Sequence, residues 1–90
     1  MLIDLNKFFN NFTIFVLSLY HNNFTEFPYN FSIYHPKLWM INFFFNKISE
    51  LPDWLLNLSK LQLLEIFGNP NLYIHLQVRN KFEDRRIALV

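Results

Sequence analysis

The sequence contains no cysteine among its 90 residues. That absence excludes a disulfide framework, thiolate zinc sites and a cysteine nucleophile together. It has a single glycine, Gly68, and a single alanine, so no glycine-rich loop is available to cradle a phosphate. Charge is sparse as well: 8 Lys+Arg against 7 Asp+Glu leave a net +1. A nucleic-acid binder working by charge needs a clustered basic face, which this balance argues against. Apolar residues are plentiful, at 52% hydrophobic and 20% aromatic with 12 Phe. Such a chain folds or aggregates; it does not stay disordered. Its length is that of one small domain. Phe and Asn share AT-rich codons, and there are 12 Asn as well, so spacing says more than content.

The spacing repeats. Apolar residues fall at Ile14, Leu17 and Leu19, followed by Asn22, Phe24, Phe27 with Pro28 after it, and Phe31. The same order returns as Leu38, Ile41, Phe43, Asn46, Ile48, Leu51 with Pro52, and Leu55. A third start at Leu61 brings Leu64, Ile66, Asn69, Ile74 and Val78 into phase, so that the starts are 24 and 23 residues apart. Self-similarity at this period is the mark of a stacked repeat architecture.

This pattern, L-x-x-L-x-L-x-x-N-x-L-x-x-L-P-x-x-L, resembles a leucine-rich repeat over residues 14 to 78, most closely in LWMINFFFNKISELPDWLLNLSKLQLLEIFGNP. The third copy departs from it: Asn71 stands where an apolar residue is expected, Leu72 is one step late, and His75 replaces the proline. The resemblance implies an α/β leucine-rich repeat solenoid of about 2.5–3 repeats, with short parallel strands and 3₁₀ or helical return segments. Residues 1–13 read as an N-terminal cap or truncated repeat with helical spacing at Leu2, Leu5, Phe9 and Phe12. Repeats follow at 14–37, 38–60 and, partial, 61–78, with a polar C-terminal cap at 79–90.

The residues support this reading without the family. Leu17-Ser18-Leu19, Ile41-Asn42-Phe43 and Leu64-Glu65-Ile66 alternate apolar and polar, the period-2 sign of a strand with every second side chain inward. Past each Asn the spacing of Leu51, Leu55 and Leu58 widens to three or four, which suits a 3₁₀ or helical return opening near Pro52. Asn22, Asn46 and Asn69 are read as structural: a carboxamide at the bend can pair with backbone groups that the sheet leaves without partners. The outward residues then align from turn to turn in columns about 4.8 Å apart. The columns are Val16, Met40 and Leu63; Ser18, Asn42 and Glu65; and Tyr20, Phe44 and Phe67. In leucine-rich repeat proteins this strand face is the concave surface that commonly holds a partner, so the resemblance implies that a protein binds these nine residues.

Other features are weaker. In 79–90 the basic residues are interleaved with acids, as on a solvated cap, while Val78, Phe82 and Ile87 can face the last turn. Phe8 to Thr25 carries no charge, but a start of Met-Leu-Ile-Asp and the run Tyr20-His21-Asn22 fit a leader poorly, and five Asn and His residues make a span costly. Glycosylation sequons stand at Asn11, Asn23, Asn30 and Asn57, where chance gives about one. They keep a secreted or ectodomain origin as the alternative to the cytoplasm, which the missing cysteines favour.

His21, His35 and His75 lack paired-ligand spacing, and Glu50 and Asp53 near Ser49 read as a polar outer face. No catalytic residue, metal or cofactor is expected. The leading expectation is a non-enzymatic protein-interaction module whose partner is another protein, with no nucleic acid and no membrane, and with self-association or packing on further repeats open. The alternatives are a non-autonomous fragment of a longer leucine-rich repeat protein whose activity lies in other domains, and a piece of a secreted or membrane-anchored leucine-rich repeat ectodomain.

Overall fold

The computed structural model describes residues 16–27 and 37–90. The expected cap at 1–13, the sequons at Asn11 and Asn30, and His35 lie outside the described residues. Three strands come first, each a single inward residue between two outward ones: β1 (Val16–Ser18), β2 (Met40–Asn42) and β3 (Leu63–Glu65). A 3₁₀ helix (Asp53–Asn57) lies between β2 and β3, and helix α1 (Leu76–Asp84) leads to a short strand β4 (Ala88–Leu89). The strands form one parallel sheet in the order β1-β2-β3-β4. The class is mixed α/β.

The register follows the repeat spacing. Val16, Met40, Leu63 and Ala88 are registered in one row across the sheet, and Leu17, Ile41, Leu64 and Leu89 in the next. Leu17, Ile41 and Leu64 are buried at 1%, 0% and 0% exposure. A one-residue slip would turn these apolar side chains outward, which is why three-residue strands hold one register. The ladder continues past the strand ends: Leu19 N–H donates to Asn42 O at 2.8 Å, Phe43 N–H to Glu65 O at 2.7 Å and Ile66 N–H to Val90 O at 2.7 Å.

Behind the sheet, Phe24, Phe43, Ile48, Leu55, Leu58 and Phe82 form a continuous core with the inward rows. Phe43 is its aromatic centre, with ring centroids 4.2 Å from Phe27 and 5.3 Å from Phe24. Pro52, at φ −72°, precedes the 3₁₀ helix, and within that helix only Leu55 is fully buried. The third return is the longer helix α1, with His75 at its N-cap where the earlier copy has proline, and Phe82 as its one fully buried residue.

Residues 79–90, expected as a polar cap, carry more than that. Helix α1 crosses the expected boundary between 78 and 79, and β4 adds a fourth strand that the sequence reading did not anticipate. Arg85, read from sequence as one of the solvated charges, is half-buried. Its guanidinium donates to Leu56 O, and through Nη2 to Leu58 O at 3.1 Å. It thereby binds the end of α1 to the end of the 3₁₀ helix, where Leu58 O also accepts from Leu61 N–H at 3.0 Å. The Lys81–Asp53 pair nearby, 3.7 Å apart and mostly exposed, belongs to a class that adds little stability.

Asn46 and Asn69 are buried at 2% and 8% exposure. Asn46 Oδ1 accepts from Phe24 N–H at 3.2 Å, while its Nδ2 donates to Leu19 O at 2.9 Å and Phe43 O at 3.2 Å. Asn69 repeats this one turn later: Oδ1 accepts from Ile48 N–H at 3.2 Å and Nδ2 donates to Phe43 O at 3.0 Å and Ile66 O at 2.7 Å. Each carboxamide joins its own bend to the preceding one. Asn22 differs, because it is exposed and, among the described residues, its Nδ2 reaches the local carbonyls of Leu19 and Tyr20.

Candidate functional site

The outward face of the sheet is built by the alternation that fills the core. With Leu17, Ile41 and Leu64 inward, Val16, Met40 and Leu63 form one outward row, and Ser18, Asn42 and Glu65 the next. Ala88 extends the first row. Val16 and Ser18 are exposed, whereas Met40, Asn42, Leu63 and Glu65 are half-buried. Asn42 is not a free surface amide, since its Oδ1 accepts from Phe44 N–H at 3.0 Å. That bond steers the chain as it leaves β2.

Tyr20, Phe44 and Phe67 stand beyond the strand ends, where the ladder persists through Phe45 N–H to Phe67 O and His21 N–H to Phe44 O, both 2.9 Å. Tyr20 and Phe67 are 55% and 66% exposed. Phe44 meets Phe67 edge-on, with centroids 6.3 Å apart and planes at 87°. The ring of Tyr20 reaches the cluster by another route: it packs edge-on against His21 at 5.3 Å, and His21 stacks on Phe45 at 4.7 Å and 16°. Phe45 closes the group with an edge contact to Phe67 at 5.7 Å. Edge-on and offset pairs of this kind are the geometry that ring quadrupoles favour.

His21 and Phe45 are therefore part of this face, and sequence reasoning passed over both. Each has φ 58°, and Gly68, at the same place in the third copy, has φ 82°. The signal was present: the residue just before each Asn is glycine in one copy, which points to a left-handed bend in all three. A bulky side chain there is strained by roughly 1–2 kcal/mol, and aromatic packing and the ladder hold it in place. Gly68 is needed twice over, because a Cβ at this position would lie 2.4 Å from Phe45 Cδ1. Gly68→Ala is expected to lower stability by about 2 kcal/mol in a urea titration, from backbone strain and a displaced ring. Adding Phe45→Ala should recover part of that loss; a purely additive double variant would show that the two positions are uncoupled.

An open groove of about 420 Å³ adjoins Phe67 and is lined also by Gly68, Tyr73, Arg79 and Val90. His75 packs its ring edge-on to Tyr73 at 4.6 Å. Among the described residues no three His, Cys, Asp or Glu side chains are grouped to hold a metal ion, and no helix is long and apolar enough to cross a membrane. Of the sequon asparagines, Asn23 and Asn57 fall within the described residues, and both are exposed. Comparison with protein-family models, curated proteins and solved structures returns no match.

Proposed function

We propose that this chain is a short leucine-rich repeat solenoid that works as a non-enzymatic protein-interaction module in the cytoplasm, holding another protein against the outward face of its sheet. The observation that carries the reading is the exposed aromatic cluster at the ends of β1, β2 and β3. Tyr20 and Phe67 leave more than half of their surface to solvent on a face that also carries the apolar row of Val16, Met40 and Leu63. Aromatic side chains with little conformational freedom contribute disproportionately to protein interfaces. The solenoid is supported by the parallel order of consecutive strands, the matching carboxamide bonds of Asn46 and Asn69, and the 3₁₀ and helical returns. The cytoplasmic assignment rests on the absence of cysteine.

Changing Phe44 and Phe67 to aspartate together should abolish recovery of the partner from native cell extract while leaving the circular dichroism spectrum unchanged. Undiminished recovery with the double variant would place the interface elsewhere.

A further inference from the structure

Resting on that reading, we propose that the partner presents an arginine flanked by apolar side chains, and that Glu65 receives its guanidinium. Glu65 is the one charged residue among the outward positions of the four strands and their aromatic extension. The residue is half-buried, and its carboxylate makes no hydrogen bond or ion pair among the described residues. Leu63 precedes it by two residues on β3, Phe67 follows by two just past the strand end, and Asn42 is its registered neighbour on β2. Asn42 offers its oxygen to Phe44 N–H, not to the carboxylate. A carboxylate with no partner of its own attracts an incoming cation, and the attraction strengthens once a partner covers the face and lowers the local dielectric.

The neighbours select arginine over lysine. A guanidinium is planar and weakly hydrated, and it can donate two parallel N–H bonds to one carboxylate while its face lies against an aromatic ring. Phe67, two residues along the same face and 66% exposed, supplies that ring. Apolar flanks would cover the rows of Met40 and Leu63 on one side and the ring cluster on the other. A lysine, as a compact and strongly hydrated point charge, uses neither the plane nor the fork.

A random twelve-residue peptide display library, selected on the immobilised full chain and counter-selected on the F44D/F67D double variant, supplies the probe. Selected peptides should carry arginine, and exchanging that arginine for the isosteric neutral citrulline should weaken binding at least about tenfold by titration calorimetry. The exchange should make little difference on Glu65→Gln, whose circular dichroism should match that of wild type. Peptides that depend on Phe44 and Phe67 but ignore both citrulline and Glu65→Gln would overturn the arginine assignment and leave the interaction face standing. Failure to obtain any peptide that depends on Phe44 and Phe67 would remove both. Self-association of the chain through these rings, seen by sedimentation, would make a second copy the occupant and also overturn the assignment.

Discussion

Asn46→Leu is expected to lose about 2–4 kcal/mol of folding free energy, read as a lower urea midpoint at unchanged slope. The size follows from which groups lose a partner. Phe43 O keeps the bond from Asn69 Nδ2 at 3.0 Å, and Phe44 O keeps the one from His21 N–H at 2.9 Å. Leu19 O keeps Asn22 Nδ2 at 3.1 Å. Phe24 N–H has Asn46 Oδ1 alone, at 3.2 Å in a buried setting. One orphaned buried donor and three weakened acceptors therefore set the cost, and leucine cannot replace any of these bonds. The comparison is Asn42→Leu at a half-buried position, where a single bond to Phe44 N–H is lost; about 1 kcal/mol is expected there. Equal losses at the two sites would show that Asn46 does not join the two bends.

Phe82→Ala should have the larger effect, about 3–5 kcal/mol, the range for emptying an aromatic site in a packed core. Phe82 has 0% exposure and is the only fully buried residue of α1. Its carbonyl accepts from Ile87 N–H at 3.0 Å, just before β4 pairs with β3. The damage should therefore be uneven, since β4 stands at one end of the sheet, paired with β3, and local units can open separately. Hydrogen exchange at Ala88 and Val90, whose N–H groups bond Gln62 O at 2.8 Å and Leu64 O at 3.0 Å, should quicken first. Protection at Leu19 and Phe43 should outlast it. Uniform loss of protection across the sheet would mean that α1 and β4 are one cooperative unit with the rest.

What was legible in the sequence was whatever the spacing of apolar residues enforces. Leu17, Ile41 and Leu64 recur at near-constant intervals, and the register of β1, β2 and β3 matches those intervals residue for residue. The bend asparagines could be singled out, but their environments could not. Asn46 and Asn69 reach back to carbonyls 27 and 26 residues earlier, while the partners of Asn22 among the described residues are in its own bend. Strand β4 was hidden because two residues in a charged stretch give too short an alternation to read. The role of Arg85 was hidden for a different reason: its acceptors lie 29 and 27 residues away in sequence, and no local pattern encodes such a contact. Within the candidate face, alternation identified the outward rows, but it could not show that Tyr20 joins the ring cluster through His21 and Phe45. That link depends on a left-handed backbone at two residues whose side chains ordinarily avoid it.

The ring of Phe45 occupies the space that a methyl group on Gly68 would need. This imposes an order on genetic change. A lineage that first enlarges Gly68 meets a collision and backbone strain together, whereas one that first trims Phe45 meets the strain alone, since φ 82° disfavours any side chain there. Trimming the aromatic first is therefore the less costly order of change at these two codons.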